Sequence, residues 1–105
     1  MIKKPNFICI GAAKAGTTTL YDVLKDHSQI YLPHIKETHF FDDPQYWDRG
    51  AEWYFNEYFS KVKDQPLIGE ITPSYVYFPE VPERIFSTLG PDVKIILMNR
   101  NPVDR

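Results

Sequence analysis

Residues 7–20 hold the densest chemistry in the chain. An apolar run, Phe7-Ile8-Cys9-Ile10, leads straight into Gly11-Ala12-Ala13-Lys14-Ala15-Gly16-Thr17-Thr18-Thr19-Leu20. A strand, a glycine-bounded loop and a hydroxyl-rich helix start make a phosphate cradle. Backbone N–H groups and the positive end of the helix converge there on one anion. Thr17 and Thr18 add hydroxyls, and Lys14 adds an ammonium. A nucleoside-triphosphate loop places lysine directly after the second glycine, with Ser or Thr next. Here Thr17 fills that lysine position, and the only lysine of the loop is Lys14. The loop therefore predicts phosphate binding with a cation placed differently from that of an NTPase.

A second group follows a short apolar run: Pro33-His34-Ile35-Lys36-Glu37-Thr38-His39-Phe40-Phe41-Asp42. Glu37 has the chemistry of a general base. Lys36 and His39 can position or polarise reacting groups. Read without other evidence, the same stretch is also a solvated loop anchored by Phe40-Phe41. A metal site from His34, Glu37 and His39 lacks a fourth ligand, and no metal is expected. A third group, Met98-Asn99-Arg100-Asn101-Pro102-Val103-Asp104-Arg105, follows the last apolar run. Arg100 there can fork two N–H bonds onto a second phosphate. No aspartate stands at that point to bind magnesium, which weakens the NTPase reading.

These groups must be positioned by strands and helices. Residues 6–11 read as a buried strand. Thr17 to about Asp26 reads as a helix capped by its threonines, with Leu20, Val23 and Leu24 on one face. Ile30 to Leu32 reads as a short strand, 34–45 as loop, and Gly50 to Phe59 as a helix with Trp53, Phe55, Tyr58 and Phe59 in the core. Leu67 to Ile71 is the next strand, stopped by Thr72-Pro73. Pro82 to Leu89 is a helix stopped by Gly90-Pro91. Val93 to Met98 is a continuous apolar strand, suited to burial on both faces of a parallel sheet. The alternation predicts an α/β fold, a doubly wound parallel sheet with a P-loop NTPase-like phosphate-binding loop. In such sheets ligands bind at the C-terminal edge of the strands.

Bulk properties narrow the function classes. The 105 residues suit one domain or part of one, and 43% hydrophobic content suffices for a core. A net charge of -2 and a pI near 5.9 argue against broad electrostatic binding to nucleic acid or membranes, so any anion site is local. The single cysteine, Cys9, excludes an intrachain disulfide and reads as a small buried hydrophobe. No run of 18 apolar residues is present, and the first residues do not read as a signal peptide. A cytoplasmic location is expected. The expected domain is residues 1–105 as the N-terminal part of a longer one, truncated after the fourth strand. Val93–Met98 would then lack a covering layer.

Four segments, in order, resemble the sulfotransferases that use 3′-phosphoadenosine 5′-phosphosulfate (PAPS). The similarity is greatest to the heparan sulfate glucosaminyl N- and 3-O-sulfotransferases and bacterial relatives. The segments are 11–20, 36–42, Gly69-Glu70-Ile71-Thr72-Pro73-Ser74-Tyr75, and 97–105; Val81-Pro82-Glu83-Arg84-Ile85 is also similar. The resemblance implies that Lys14, Ala15, Gly16, Thr17, Thr18 and Thr19 bind the 5′-phosphosulfate end of PAPS. It implies Glu37 as catalytic base, with Lys14 stabilising the leaving group. His39 and Asp42 would support the base or contact the acceptor, with Lys36 beside them on the acceptor side. Arg100 would bind the 3′-phosphate. Many sugar-modifying members carry lysine after the glutamate of the third segment, where this chain has Ile71.

The implied reaction is in-line sulfuryl transfer from PAPS to a hydroxyl or amine, on a small-molecule or glycan acceptor, leaving 3′-phosphoadenosine 5′-phosphate (PAP). The alternatives are a P-loop nucleotide or small-molecule kinase, disfavoured by Thr17 in the lysine position, and a non-catalytic nucleotide-binding fragment.

Overall fold

Four parallel strands form the frame. The computed structural model describes residues 3–12 and 16–98. In chain order the elements are β1 (Phe7–Gly11), α1 (Thr17–Leu24), β2 (Ile30–Tyr31), α2 (Pro44–Trp47), α3 (Ala51–Phe59), β3 (Leu67–Ile71), a 3-10 turn (Pro73–Tyr77), α4 (Val81–Leu89) and β4 (Lys94–Leu97). The sheet order is β2-β3-β1-β4, so β1 is central and β4 lies at an edge. β1 pairs with β3 from Phe7 opposite Gly69 and with β4 from Phe7 opposite Lys94.

Period-two alternation along the central strands divides the core between two faces. Phe7 and Cys9 of β1, with Ile71 of β3 and Leu32, face Leu20, Tyr21 and Leu24 of α1. Ile8 and Ile68 face the other way, into a cluster with Phe40, Phe41, Tyr54, Phe59, Ile85 and Leu89. Helices thus cover both faces, as a doubly wound sheet requires. Cys9 is fully buried, and burial pushes its thiol up from the usual value.

Several local expectations need correction. Val23 is 66% exposed; the inner face of α1 is Leu20, Tyr21 and Leu24. No threonine caps that helix: Gly16 is the N-cap, at φ 92°. Asp43 caps the unpredicted helix α2 by accepting from the Gln45 N–H at 2.9 Å. Trp53 and Phe55 are only half-buried, whereas Tyr54 is fully buried. The apolar run of β4 is exposed among the described residues, in line with the covering layer that Val93–Met98 is expected to lack. Ile95, Ile96 and Leu97 are exposed, because an edge strand with a single neighbour is only partly covered among the described residues.

Glu70 of β3 is fully buried on the α3 face, with no cation paired to it among the described residues. Four hydroxyls solvate it. Its Oε1 accepts from Thr72 Oγ1 at 2.7 Å, Thr38 Oγ1 at 2.8 Å and Tyr75 OH at 3.0 Å. Its Oε2 accepts from Tyr54 OH. Burial pushes this carboxyl up from the ordinary 4.5, and the hydroxyl donors pull the other way without cancelling the rise. Tyr54 and Tyr75 are held well above the usual phenol value by burial first and by Glu70 second.

Two predictions come from this core. A Cβ on Gly69 would stand 2.4 Å from the Phe7 ring, which packs flat over it within a buried cluster. Gly69→Ala should cost on the order of 1–3 kcal/mol by overpacking, read from urea midpoints, and pairing it with Phe7→Leu should recover part of the loss. For Glu70, a folded-state pKa above the unfolded one means the native state keeps its proton to higher pH. The resulting destabilisation is absent below the unfolded pKa and grows as pH rises through the folded one. The stability of Glu70→Gln minus that of the natural chain should therefore increase from pH 4 upward and then level off. A pH-independent difference in urea unfolding would contradict this.

Candidate active site

Because all four strands are parallel, the loops after β1, β2 and β3 and the C-terminal end of β4 lie at one sheet edge. Short bonds knit that edge together. Ala12 N–H donates to Met98 O at 2.9 Å, Met98 N–H to Gly11 O at 2.8 Å, and Thr72 N–H to Cys9 O at 3.0 Å. Gly11 has to be glycine, since a Cβ there would lie 2.9 Å from the Pro73 carbonyl oxygen.

Of the anion loop, Lys14 and Ala15 lie outside the described residues, as does Arg100 beyond β4. What is described suits an anion. Helix α1 starts at Thr17 after a glycine cap that makes no side-chain bond, and its first turn holds no acidic residue. The first N–H groups of a helix have no intrahelical partner, and here no cap side chain takes them. Thr18 and Thr19 are exposed, whereas Thr17 is buried, so the Thr17 hydroxyl is the least available of the three. Among the described residues the donor set fits a phosphate or sulfate group: N–H groups, two exposed hydroxyls, a helix N-terminus and no carboxylate in the first turn.

The loop from Pro33 to Asp43 brings its polar residues into one connected chain. Lys36 Nζ lies 2.9 Å from Glu37 Oε2, and His39 Nε2 lies 3.2 Å from Glu37 Oε1. His39 Nδ1 is 3.2 Å from Asp42 Oδ1 and 3.3 Å from Ser74 Oγ. Ser74 Oγ donates to Asp42 Oδ2 at 2.5 Å. Asp42 is buried, while Glu37 and His39 are about a third exposed, at 34% and 39% of their side chains. The open end of the chain is thus a carboxylate that solvent or a substrate can reach. His34 is exposed and stacks near Tyr58, apart from this chain. Among the described residues no group of His, Cys, Asp and Glu has the arrangement of a metal site.

The geometry of His39 depends on an unusual backbone. Its φ is 56°, the left-handed region that non-glycine residues seldom adopt. Such a conformation costs roughly 1–3 kcal/mol and persists only where its surroundings fix it. They do so on both sides. Phe40 and Phe41 are fully buried, with Phe40 stacked on Tyr54 at 4.2 Å. Arg84 of α4 donates to the Phe41 carbonyl at 3.0 Å and lies over the Trp47 ring.

Sequence reasoning brought Lys36, Glu37, His39 and Asp42 to one place correctly. It missed Ser74, Tyr54 and the role of Glu70. A glutamate inside the apolar run Leu67–Ile71 was the available signal, because a carboxylate in a buried strand needs donors.

No family model matches the chain. It is 43% identical over 103 residues to the membrane-associated sulfotransferase kil1 of Dictyostelium discoideum, covering 96% of this chain and 21% of that protein. It is 37% identical over 101 residues to heparan sulfate glucosamine 3-O-sulfotransferase 6 of Mus musculus, covering 96% of this chain and 28% of the relative. The fold superposes on a sulfotransferase from Alicyclobacillus acidocaldarius with TM-score 0.82 and 33% identity, over 98% of this chain and 47% of that one. The chain thus spans about a quarter of the length of these curated relatives.

One expectation is overturned by these relatives. A cytoplasmic location does not fit a chain 43% identical to a sulfotransferase described as membrane-associated. No described helix is long and apolar enough to cross a membrane. With nearly all of its residues aligned at this identity and its sheet superposed, the chain is a homologue of the sulfotransferases, sharing with them the α/β architecture that its own length covers.

Proposed function

We propose that the protein containing this chain transfers a sulfuryl group from PAPS to a hydroxyl or amine of a carbohydrate acceptor. The observation that carries the reading is the hydrogen-bonded chain Glu37–His39–Asp42–Ser74 at the same sheet edge as the glycine-bounded anion loop. A kinase reading finds no support in either the relatives or the loop sequence.

PAPS would supply the sulfuryl group and leave as PAP. In this reading the free N–H groups of the α1 N-terminus and the Thr18 and Thr19 hydroxyls hold the phosphosulfate end, with Lys14 and Ala15 completing the loop. Lys14 and Arg100 take the charge on the leaving group and the 3′-phosphate, roles that rest on the family resemblance. Glu37 accepts the acceptor proton. Its Oε1 faces His39, whose ring is held from behind by Asp42 and Ser74, so the base has a fixed direction. Lys36 neutralises the other oxygen and sits beside the path of the acceptor. Positioning and electrostatics of this kind carry group transfer between phosphate-like oxygens.

The carbohydrate acceptor is supported by the substrate in the name of the 3-O-sulfotransferase relative. Acceptor contacts must differ in one respect. Ile71 is fully buried against Phe7, Cys9 and Leu32, so the position where many sugar-modifying members carry lysine offers no acceptor contact here.

Two measurements test the reading. In the full-length protein, Glu37→Gln should lower the rate of transfer from labelled PAPS to heparan sulfate by a factor of about 100 or more, with PAP affinity by calorimetry unchanged. Normal turnover with weakened PAP binding would make Glu37 a binding residue. Arg100→Ala should weaken PAP by about tenfold or more, the loss expected for a charged hydrogen-bonding partner, while adenosine 5′-phosphate is little affected. Equal losses for the two nucleotides would remove Arg100 from the 3′-phosphate site.

A further inference from the structure

The two oxygens of Glu70 serve different parts of the molecule. Among the described residues, Oε2 receives only Tyr54 OH, from helix α3. Oε1 receives Thr38 Oγ1, Thr72 Oγ1 and Tyr75 OH. Each of those three hydroxyls has a second task on the loop that carries Glu37, His39 and Asp42. Thr72 Oγ1 accepts the Thr38 N–H at 3.2 Å, Thr38 Oγ1 accepts the Phe40 N–H at 3.2 Å, and Tyr75 OH accepts the Phe41 N–H at 3.3 Å.

A hydroxyl has one proton and can point it either way. An oxygen that only accepts, set at the meeting point of three hydroxyls, decides all three directions. Each proton is drawn to Oε1, and each lone pair is left facing a loop amide. Those three amides bracket His39, whose left-handed backbone must be held from outside. We infer that Glu70 is a positioning residue for the catalytic loop, acting through Thr38, Thr72 and Tyr75, while its bond to Tyr54 is structural only. This inference rests on the reading of Glu37 as the base. It adds a residue that touches neither donor nor acceptor, and it divides the four hydroxyls into two classes.

The division gives the test. Thr38→Val and Tyr75→Phe each remove one hydroxyl that ties Glu70 to the loop. Tyr54→Phe removes the hydroxyl that does not, and its ring keeps the stack on Phe40. All three should lower the melting temperature of the full-length protein. Only Thr38→Val and Tyr75→Phe should lower kcat for sulfuryl transfer from PAPS to heparan sulfate, on the order of tenfold or more, with KM for PAPS within about twofold. Tyr54→Phe should keep kcat within about twofold on the same scale. Thr38→Ser, which restores the hydroxyl, should recover the rate.

A second readout needs no activity. The His39 ring signals in ¹⁵N NMR should shift in Thr38→Val and Tyr75→Phe and stay in place in Tyr54→Phe. If the natural protein transfers nothing to heparan sulfate, the functional reading is at fault, and the NMR comparison still decides the positioning role. Should Thr38→Val fail to fold, Tyr75→Phe carries both readouts. Equal effects of all three substitutions on kcat and on the His39 signals, or no effect of any, would overturn the inference.

Discussion

A carboxylate buried among hydroxyls, with no cation beside it among the described residues, is the constraint around which this chain is arranged. Taking an ionised carboxylate out of water costs many kcal/mol unless donors replace the water. Glu70 meets that requirement with four hydroxyls drawn from β3's own continuation, the 3-10 turn, helix α3 and the loop after β2. None of those elements can shift without exposing a polar atom to the core. No buried polar side-chain atom among the described residues is without a partner. The network is therefore closed, the condition under which buried polar groups specify one arrangement.

That closure lets a strained loop exist. His39 holds a backbone conformation that L residues avoid, and it is flanked by two aromatic rings sunk in the core. Phe40 and Phe41 supply the apolar burial, Arg84 and the hydroxyls supply the polar anchors, and Glu37 and His39 are left partly exposed. The polar chain runs from the partly exposed Glu37 and His39 inward to the buried Asp42, on a rigid base. A loop of this composition without the base would be an ordinary solvated segment.

The parallel sheet then does the assembling. It delivers the loops after β1, β2 and β3 to one edge, with β1 in the centre, so the anion loop and the Glu37 loop share that edge. Bonds between Gly11, Ala12 and Met98 fix the β4 end against the start of the anion loop. The apolar face of β4 is left exposed, and the curated relatives are roughly four times as long as this chain.

By itself the sequence determined the alternation of strands and helices, the parallel α/β class, a glycine-bounded turn between β1 and α1, and the grouping of Glu37, His39 and Asp42. Those features are written in local terms: runs of apolar residues, glycines bounding a loop, and short motifs of neighbouring residues. It misjudged what depends on neighbours distant in sequence. Val23 and Tyr54 follow similar local rules, yet one is exposed and the other buried, because the packing partner and not the helix period sets the inner face. The apolar run of β4 suits burial on both faces, and its exposure among the described residues, expected where a covering layer is missing, is set by strand order and not by the run itself. The largest omission was Glu70. Its donors lie at positions 38, 54, 72 and 75, and only the folded sheet brings two of them from more than ten residues away onto one carboxylate. A buried charge announces that donors must exist; which residues provide them, and which of its two oxygens each one takes, was decided by the tertiary structure.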